Sequence, residues 1–270
     1  PTGVTQAWQA EYLVGCDGGR STVRHSLGVK YQGEAGIEQR YLGGRMFSTY
    51  VRTPALYRDF LGHRRAWQYW VVNPEIRSTI IAVNGRDEFL FRTRASEPDR
   101  PPDDHLVRDT MRRCAGVDID MEIIAHEPWT AGMALVAERF ADRRVFLAGD
   151  SMHLFTPTGG FGRNTGIDDA SNLSWKLAAM LQGWGGARLL SSYEDERMPI
   201  AVRNTNAARQ LTANIGDTDV DPAIEEKTPA GEAARRAAAA MLNGFGEQFA
   251  SIGVQLGARY DGSPVISPDG

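Results

Sequence analysis

The sequence predicts an α/β protein that carries an inserted, mainly antiparallel β region, and three segments indicate this fold. Residues 12–24 and residues 145–181 each begin with a short apolar run, pass through an Asp–Gly or Gly–Asp pair and enter a helical pattern. This order is typical of a strand and helix in a doubly wound sheet. The third segment, between residues 39 and 94, contains β-like runs separated by turn residues.

The first strand–helix unit reads YLVGCDGGRSTVR over residues 12–24. The apolar run predicts a strand, Asp17 and Gly18 follow its end, and Ser21 is a suitable N-cap for a helix that contains Arg24. Two interpretations of Asp17 are open. It could form a turn at the strand end, or it could face a ligand, because ligands of α/β sheets bind beyond the carboxyl ends of the strands.

The inserted region contains β-like runs at residues 67–72, 78–83 and 88–91, with turn residues between them. We expect an antiparallel sheet here, followed by a helix over residues 105–114 and a strand over residues 121–125. The aromatic side chains of Trp67, Tyr69 and Trp70 could wall an apolar pocket or pack in the core. The sequence leaves both possibilities open.

The second unit begins with an apolar run at residues 145–148, which predicts a strand buried on both faces. Asp150 follows the end of this strand and could accept hydrogen bonds from a sugar or ribityl hydroxyl. Residues 157–164 then read PTGGFGRN. Glycines without a Cβ let a ligand approach the backbone N–H groups, so this loop can donate main-chain hydrogen bonds.

A long helix is expected after the glycine loop. Thr165 and Asp168 nearly match a capping box and predict a helix that begins there. Its apolar face would consist of residues at helical spacing, which are Ile167, Ala170, Leu173, Leu177 and Leu181. The positive end of this helix would face the ligand. Further helices are expected over residues 189–210 and 231–242.

The string from Gly149–Asp150 through Pro157 to Gly-Gly-x-Gly-x-Asn resembles the second FAD-binding motif of the flavoprotein aromatic hydroxylases. These single-component monooxygenases are related to p-hydroxybenzoate and phenol hydroxylase. The Asp17–Gly18 segment resembles the Asp–Gly fingerprint of the same family, in the expected order. The resemblance implies that FAD is reduced by NADPH or NADH, that O₂ is captured as a flavin hydroperoxide, and that one oxygen is transferred to a phenolic or aromatic ring.

The resemblance also assigns roles to individual residues. Pro157 is the expected catalytic residue, lining the flavin face where the oxygen intermediate forms, and Asp150 would hold the ribityl chain. The full set expected to bind the cofactor is Asp17, Gly18, Arg24, Gly149, Asp150, Gly159, Gly160, Gly162, Arg163 and Asn164.

Two side chains in this segment have open interpretations. Arg163 departs from the family, which more often has an apolar residue here. It could raise the flavin reduction potential or bind a substrate anion, or it could point to solvent and contribute only its backbone. His153 could transfer protons or be a satisfied structural group.

The resemblance implies a FAD-binding domain in two parts, residues 1–33 and 129–210, around a substrate-binding sheet domain at 34–128. Residues 211–270 would form a helical segment that returns toward the substrate domain. No G-x-G-x-x-G loop follows an early strand, so we expect this chain to be the middle of a longer enzyme and to bind FAD weakly or not at all by itself. The alternative is a catalytically inactive, flavin-free remnant or proteolytic fragment.

Composition argues against several other classes. The 270 residues are 42% hydrophobic and carry a net charge of −4 with both signs well mixed, so no basic stripe favours nucleic acid. No apolar run reaches the roughly 20 residues of a membrane span, and no signal pattern precedes the chain's first strand. We expect a cytoplasmic protein whose partners are a small aromatic substrate and O₂, with a homo-oligomer or the remainder of the same polypeptide as further possibilities.

Metal and hydrolase chemistry find little support in the sequence. Cys and His residues do not occur at metal-ligand spacing, so no metal is expected. Gly149-Asp150-Ser151 could be an esterase nucleophile motif. However, His153 is the last histidine in the chain, so the motif has no downstream base.

Overall fold

The computed structural model describes residues 3, 5–34, 46–94, 100–129, 132–216 and 220–267. Within these ranges the strands are β1 (Leu13–Gly15), β2 (Tyr31–Glu34), β3 (Met46–Arg52), β4 (Gln68–Val72), β5 (Arg77–Ala82), β6 (Glu88–Arg94), β7 (Glu122–Trp129), β8 (Ala134–Ala137), β9 (Ala141–Asp142), β10 (Val145–Leu147) and β11 (His153–Leu154).

The helices in the same ranges are α1 (Thr22–Ser26), α2 (Asp104–Ala115), α3 (Phe161–Leu181), α4 (Ser192–Gly216), α5 (Pro229–Gly244), α6 (Glu247–Ala250) and α7 (Ile252–Gln255). Leu56–Leu61 forms a π-helical turn, and short 3₁₀ turns occur at Gly149–Ser151, Thr158–Gly160 and Pro222–Glu225. None of the helices in the described part of the chain combines the length and apolar character needed to cross a bilayer.

The chain divides into two compact units. Unit 1 consists of Pro1–Ile37, Gly132–Leu211 and Glu247–Gly270, and unit 2 consists of Glu38–Ala131 and Thr212–Gly246. The four-segment division expected from the sequence remains a prediction, and its boundary at residue 34 adjoins residues 35–45, which lie outside the described ranges. The mixed α/β fold class with an antiparallel sheet is confirmed.

Unit 1 contains two small sheets. In the first, β1 pairs in parallel with β10, and β10 pairs antiparallel with β9. In the second, β8 lies between β11 and β2, and both pairings are antiparallel. An apolar cluster that includes Phe140, Phe146, Leu147 and Met152 lies beneath these strands, and each of these side chains is almost fully buried.

Unit 2 contains a five-stranded antiparallel sheet in the order β4-β5-β6-β3-β7. The expected strands and helix α2 are present, with boundaries within a few residues of the prediction. One sheet face packs against α2 through a cluster that we call the sheet core, whose fully buried members include Val51, Phe89, Phe91, Val107 and Met111. Alternation along β3 and β6 places Val51, Phe89 and Phe91 on one face of the sheet.

The three aromatic residues of the β4 region lie in different environments. Tyr69 packs against the sheet core. Trp70 instead contacts Phe245, the C-cap residue that follows α5, with ring centroids 5.7 Å apart, in a second cluster that includes Met46 and Trp129. Trp67 is 60% exposed. Tyr69 and Trp70 therefore both pack against buried apolar clusters, as the core interpretation predicts, while Trp67 is largely exposed.

Helix α3 corrects two predictions. It begins at Phe161 with Gly160 as its N-cap, so the capping box at Thr165 is wrong. Its buried face is also not the predicted apolar stripe, because Ile167 is 56% exposed and Leu181 is 58% exposed. The buried side chains are instead mostly polar: Phe161, Thr165, Asp169, Asn172, Leu173, Lys176 and Ala179.

Candidate functional site

The two sequence motifs meet at one edge of the parallel strand pair. Gly15 at the end of β1 lies opposite Leu147 at the end of β10, so Asp17 and Asp150 both follow strands that end on the same side. Ser151 ties the turns together, since its hydroxyl donates to the Gly15 carbonyl at 2.6 Å. The same hydroxyl is fully buried, so it is not available as a hydrolase nucleophile.

The Asp17 carboxylate caps helix α1. One oxygen accepts from the Ser21 hydroxyl at 2.5 Å and the other accepts from the Val23 N–H at 3.2 Å. Ser21 is the N-cap that the sequence predicts, since its hydroxyl accepts from Arg24 N–H. The hydrogen bond from Ser21 is the largest influence that lowers the Asp17 pKa. Asp17 therefore stays ionised and shapes the turn at the end of β1.

Arg24 joins the Asp–Gly segment to the Gly–Asp segment. Its buried guanidinium donates to the carbonyls of Gly19 and Ser151, both at 3.1 Å. The guanidinium also stacks over the Tyr31 ring, 3.8 Å from the centroid. Tyr31 in turn donates to the Asp150 carbonyl at 2.5 Å. Burial raises the pKa of Tyr31 to about 12, so this donor keeps its proton.

The Gly149–Asp150 turn packs directly on helix α3. Gly149 has a φ of 63°, which favours glycine, and a Cβ on Gly166 would lie 3.3 Å from its Cα. The two backbones approach because neither residue has a side chain. The Asp150 side chain is exposed, and no hydrogen bond reaches its carboxylate from the residues that the structure describes. It is available to a ligand.

The glycine loop ends in an open helix N-terminus. Gly160 caps α3 with a φ of 65° and provides no side-chain cap, and a Cβ there would meet no atom within 4 Å. The Gly160 N–H donates to the Pro157 carbonyl at 3.2 Å. Helix geometry leaves the next amides, those of Gly162 and Arg163, without a carbonyl in their own helix. They can donate to an electron-rich ligand edge.

The remaining predicted residues of the loop lie around this N-terminus. Pro157 and the side chain of Arg163 are exposed. The Asn164 amide donates to the Gly160 carbonyl at 2.9 Å, which fixes the first turn of α3. Gly159 has a φ of 83°, and a Cβ there would lie 2.5 Å from the Phe161 ring. The loop therefore requires glycine at this position.

Helices α3 and α4 are joined by buried polar side chains, which we call the polar seam. Its members pair across the helices as Thr165 with Asn204, Asp169 with Arg197, Asn172 with Glu196, and Lys176 with Glu196 and Ser192. The N–O separations range from 2.6 to 3.0 Å. The α3 members recur at intervals of three or four residues, so they share one helix face.

His153 belongs to this seam. Its Nε2 lies 2.6 Å from an Asp169 oxygen, and the other oxygen of Asp169 accepts from Arg197 Nε at 2.8 Å. All three side chains are 0% exposed. The structural interpretation of His153 is therefore favoured over proton transfer.

Charges in the seam are mutually compensated. For Arg197, burial lowers the pKa, but the carboxylate of Asp169 and the Tyr260 hydroxyl together outweigh it, so the net shift is upward. Burial lowers the pKa of Lys176, and the neighbouring Glu196 offsets only part of this. For Glu196, burial raises the pKa, but hydrogen bonds from Asn172, Lys176 and Ser263 lower it in sum.

Sequence reasoning missed Asp169, Arg197, Lys176 and Glu196. The sequence signal for Asp169 and Lys176 is a polar stripe at helical spacing on α3, offset from the predicted apolar stripe. A cavity of about 470 Å³ also lies at the start of α3, lined by Gly159 and Asn164 of the loop, by Arg203 and Asn204 of α4, and by Val254 of α7. Among the described residues, no group of three or more His, Cys, Asp or Glu could hold a metal ion.

A free strand-end carboxylate, a glycine turn and an open helix N-terminus at one sheet edge define an α/β site for a nucleotide cofactor. Comparison with known families identifies this cofactor. Residues 1–208 match the family model described as "FAD binding domain", and the chain belongs to this family. The predicted resemblance to flavoprotein hydroxylases is thereby confirmed.

Similar proteins are named as monooxygenases and hydroxylases. The chain is 36% identical over 266 residues to "Putative polyketide hydroxylase" of Streptomyces halstedii, covering 97% of this chain and 43% of the relative. It is 30% identical over 287 residues to "2,4-dichlorophenol 6-monooxygenase" of Delftia acidovorans, covering 97% and 47%. The chain thus spans about half the length of these relatives.

Solved structures with a similar fold are also of flavin-binding enzymes. "Structure of the rebeccamycin biosynthetic enzyme RebC with reduced flavin" superposes with a TM-score of 0.82 at 34% identity, covering 100% of this chain and 50% of that one. "Crystal structure of the flavin-dependent monooxygenase PieE in complex with FAD and substrate" gives 0.76 at 28% identity, covering 96% and 48%. The chain therefore has the fold of flavin-dependent hydroxylases over its whole described length.

The described residues fit FAD. The Asp150 carboxylate has no hydrogen-bond partner among them, and the space beside Gly160 is open. The amides of Gly162 and Arg163 lie in the first turn of α3. FAD has groups that match these donors and acceptors, namely a hydroxyl-bearing chain, a flat ring and a negatively charged ring edge.

Proposed function

We propose that this chain forms the flavin site and substrate sheet of an enzyme that hydroxylates a phenolic or aromatic substrate with NADPH or NADH and O₂. The observation that carries the proposal is the meeting of the Asp–Gly and Gly–Asp motifs at one end of the parallel β1–β10 pair. It is supported by relatives named as a phenol monooxygenase and polyketide hydroxylases.

Each part of the site has a task in this proposal. FAD, when bound, would supply the electron transfer and oxygen activation that protein side chains lack. Asp150 accepts hydrogen bonds from the ribityl hydroxyls. The amides of Gly162 and Arg163 stabilise negative charge at the flavin ring edge, as an oxyanion hole does.

The other predicted residues shape and shield the site. Pro157 lines one ring face and, being apolar there, helps to keep water away. Asp17, Gly18 and Arg24 hold the turn beside the pyrophosphate. Asp17 and Arg24 hold this turn through backbone groups, since Asp17 caps α1 and Arg24 donates to carbonyl groups.

The test is the visible spectrum and equilibrium dialysis of the purified chain with FAD, carried to millimolar concentration because weak binding is predicted. We expect saturable binding of one FAD, weakened about tenfold in Asp150→Ala, which corresponds to the loss of one charged hydrogen bond. Asp118→Ala is the matched control, because this acidic side chain is 90% exposed in unit 2. Binding that both variants weaken equally would contradict the proposed role of Asp150, and no binding at any concentration would favour the flavin-free remnant.

The reaction is tested in the whole enzyme by following NADPH and NADH oxidation together with O₂ uptake and product mass. We expect a phenolic substrate to gain one oxygen atom for each nicotinamide oxidised. Oxidation without any hydroxylated product from a panel of phenols and polycyclic aromatics would contradict the hydroxylase assignment.

A further inference from the structure

A buried carboxylate connects the glycine loop to the two long helices. Asp169 on α3 accepts from Arg197 on α4 through one oxygen and lies 2.6 Å from His153 Nε2 through the other. All three side chains are 0% exposed. A buried ionised carboxylate is tolerated only when its oxygens are paired, so both contacts are required.

The His153 contact reaches the beginning of the glycine loop. His153 lies in β11, directly before the segment that enters the loop. Its ring packs edge-on against Phe155, with centroids 4.9 Å apart. A Cβ on Gly162 would lie 3.3 Å from the Phe155 ring, so Phe155 touches the loop where it enters α3. Contacts therefore run from Asp169 through His153 and Phe155 to Gly162.

The Arg197 contact reaches the other end of the same loop. Besides binding Asp169, its guanidinium donates to the Thr165 carbonyl in the first part of α3 at 3.3 Å, and to the Tyr260 hydroxyl at 3.2 Å. Asp169 thus orients two groups, one before and one after the glycine loop. Loss of its charge would release both ends together.

The hydrogen-bond pattern also indicates which ring nitrogen of His153 donates to Asp169. Its Nδ1 is buried and has no hydrogen-bond partner among the residues that the structure describes. A proton on Nδ1 would therefore be an unpaired buried donor, which is unfavourable. The arrangement favours a hydrogen on Nε2, which donates to Asp169.

We propose that Asp169 is a positioning residue, which acts through His153 and Arg197 to hold residues 155–164 in the shape that binds flavin. This inference rests on the proposed function for its ligand, while the anchoring of the loop is independent of it. Asp169 touches neither the loop glycines nor Asp150 in the observed hydrogen bonds, so its effect is indirect.

The matched control lies on the same helix pair. Glu196 is also a buried carboxylate in an ion pair, with Lys176 at 2.6 Å. Its other partners are Asn172 and Ser263, and none of these lies within residues 149–164. Asp169→Asn and Glu196→Gln therefore remove the same kind of charge from the same interface, and only the first touches the loop anchor.

A third variant tests the proposal even if Asp169→Asn does not fold. His153→Phe removes the Nε2 donor, keeps an aromatic ring against Phe155 and leaves the Asp169–Arg197 pair intact. The experiment measures amide hydrogen exchange without flavin and the FAD dissociation constant, both at a temperature where all variants are folded. Exchange rates are corrected for each variant's global unfolding free energy.

We expect exchange in residues 155–164 to rise at least tenfold in Asp169→Asn and His153→Phe, and to change less than twofold in Glu196→Gln. FAD affinity should fall about tenfold in the first two variants only. Unchanged loop exchange in both, or an equal response in Glu196→Gln, would overturn the proposal. Loosened loops in a chain whose wild type binds no FAD would uphold the anchoring and overturn the part of the proposal that concerns flavin binding by this chain.

Discussion

The polar seam of unit 1 and the sheet core of unit 2 are both buried, yet they are built from opposite chemistry. The seam pairs Asp169 with Arg197 and Glu196 with Lys176. The sheet core is apolar, with Phe89 and Phe91 fully buried. An apolar core tolerates changes that conserve volume, whereas a charge pair requires a particular partner at a particular distance. The difference suggests that the seam sets geometry beside the site, while the sheet core supplies stability.

The largest expected effect is the loss of one charge from the seam. Asp169→Ala leaves the Arg197 guanidinium buried without its acceptor, so the free energy of unfolding should fall by about 3–5 kcal/mol. Met111→Leu in the sheet core keeps the volume and should cost less than about 1.5 kcal/mol. Urea unfolding measures both. Similar costs for the two variants would remove the distinction between the regions.

A second test removes both members of a seam pair. Lys176→Met alone and Glu196→Gln alone each leave a buried polar group without its partner and should cost about 3 kcal/mol. The double variant should cost about 2 kcal/mol less than the sum, because neither charge remains unpaired. Additive costs in urea unfolding would indicate that the two side chains contribute independently.

The strands and helix caps could be predicted because their signals are local. Ser21 caps α1 as expected, and the run at residues 145–147 forms β10. The polar seam could not be predicted, because α3 carries two stripes of helical spacing and only the partners on α4 decide which is buried.

The first residue of α3 also could not be predicted from local sequence signals. Thr165 resembles an N-cap in sequence, but its hydroxyl accepts from Asn204, about forty residues later, instead of capping a helix. A tertiary contact therefore replaced the local one. The cofactor roles of the site residues remain predictions: the Asp150 side chain is exposed, while Asp17 and Arg24 make hydrogen bonds within their own chain.

The seam should also respond to acid. The net pKa of Glu196 lies below its ordinary value of 4.5, so the folded state favours the ionised form. This contribution is present above pH 4.5 and is lost as the pH falls through the folded-state pKa. The wild type should therefore lose unfolding free energy more steeply below pH 4.5 than Glu196→Gln. Parallel urea midpoints between pH 6 and pH 3 would contradict this.

The smallest effect is expected at Arg163. Its side chain is exposed while its amide lies in the first turn of α3, so only the backbone should contact flavin. Arg163→Met should change FAD affinity less than about twofold, since solvent-exposed charges contribute little. A larger loss, or an altered flavin reduction rate in the whole enzyme, would indicate that the guanidinium itself acts on the flavin or its substrate.

The most direct test is to locate bound flavin by measuring backbone amide shifts while the labelled chain is titrated with FAD. We expect the largest shifts at Gly162 and Arg163, with the amides of Phe89 and Phe91 in the sheet core unchanged. Saturable binding that leaves residues 157–164 unshifted, or that moves only unit 2, would contradict it.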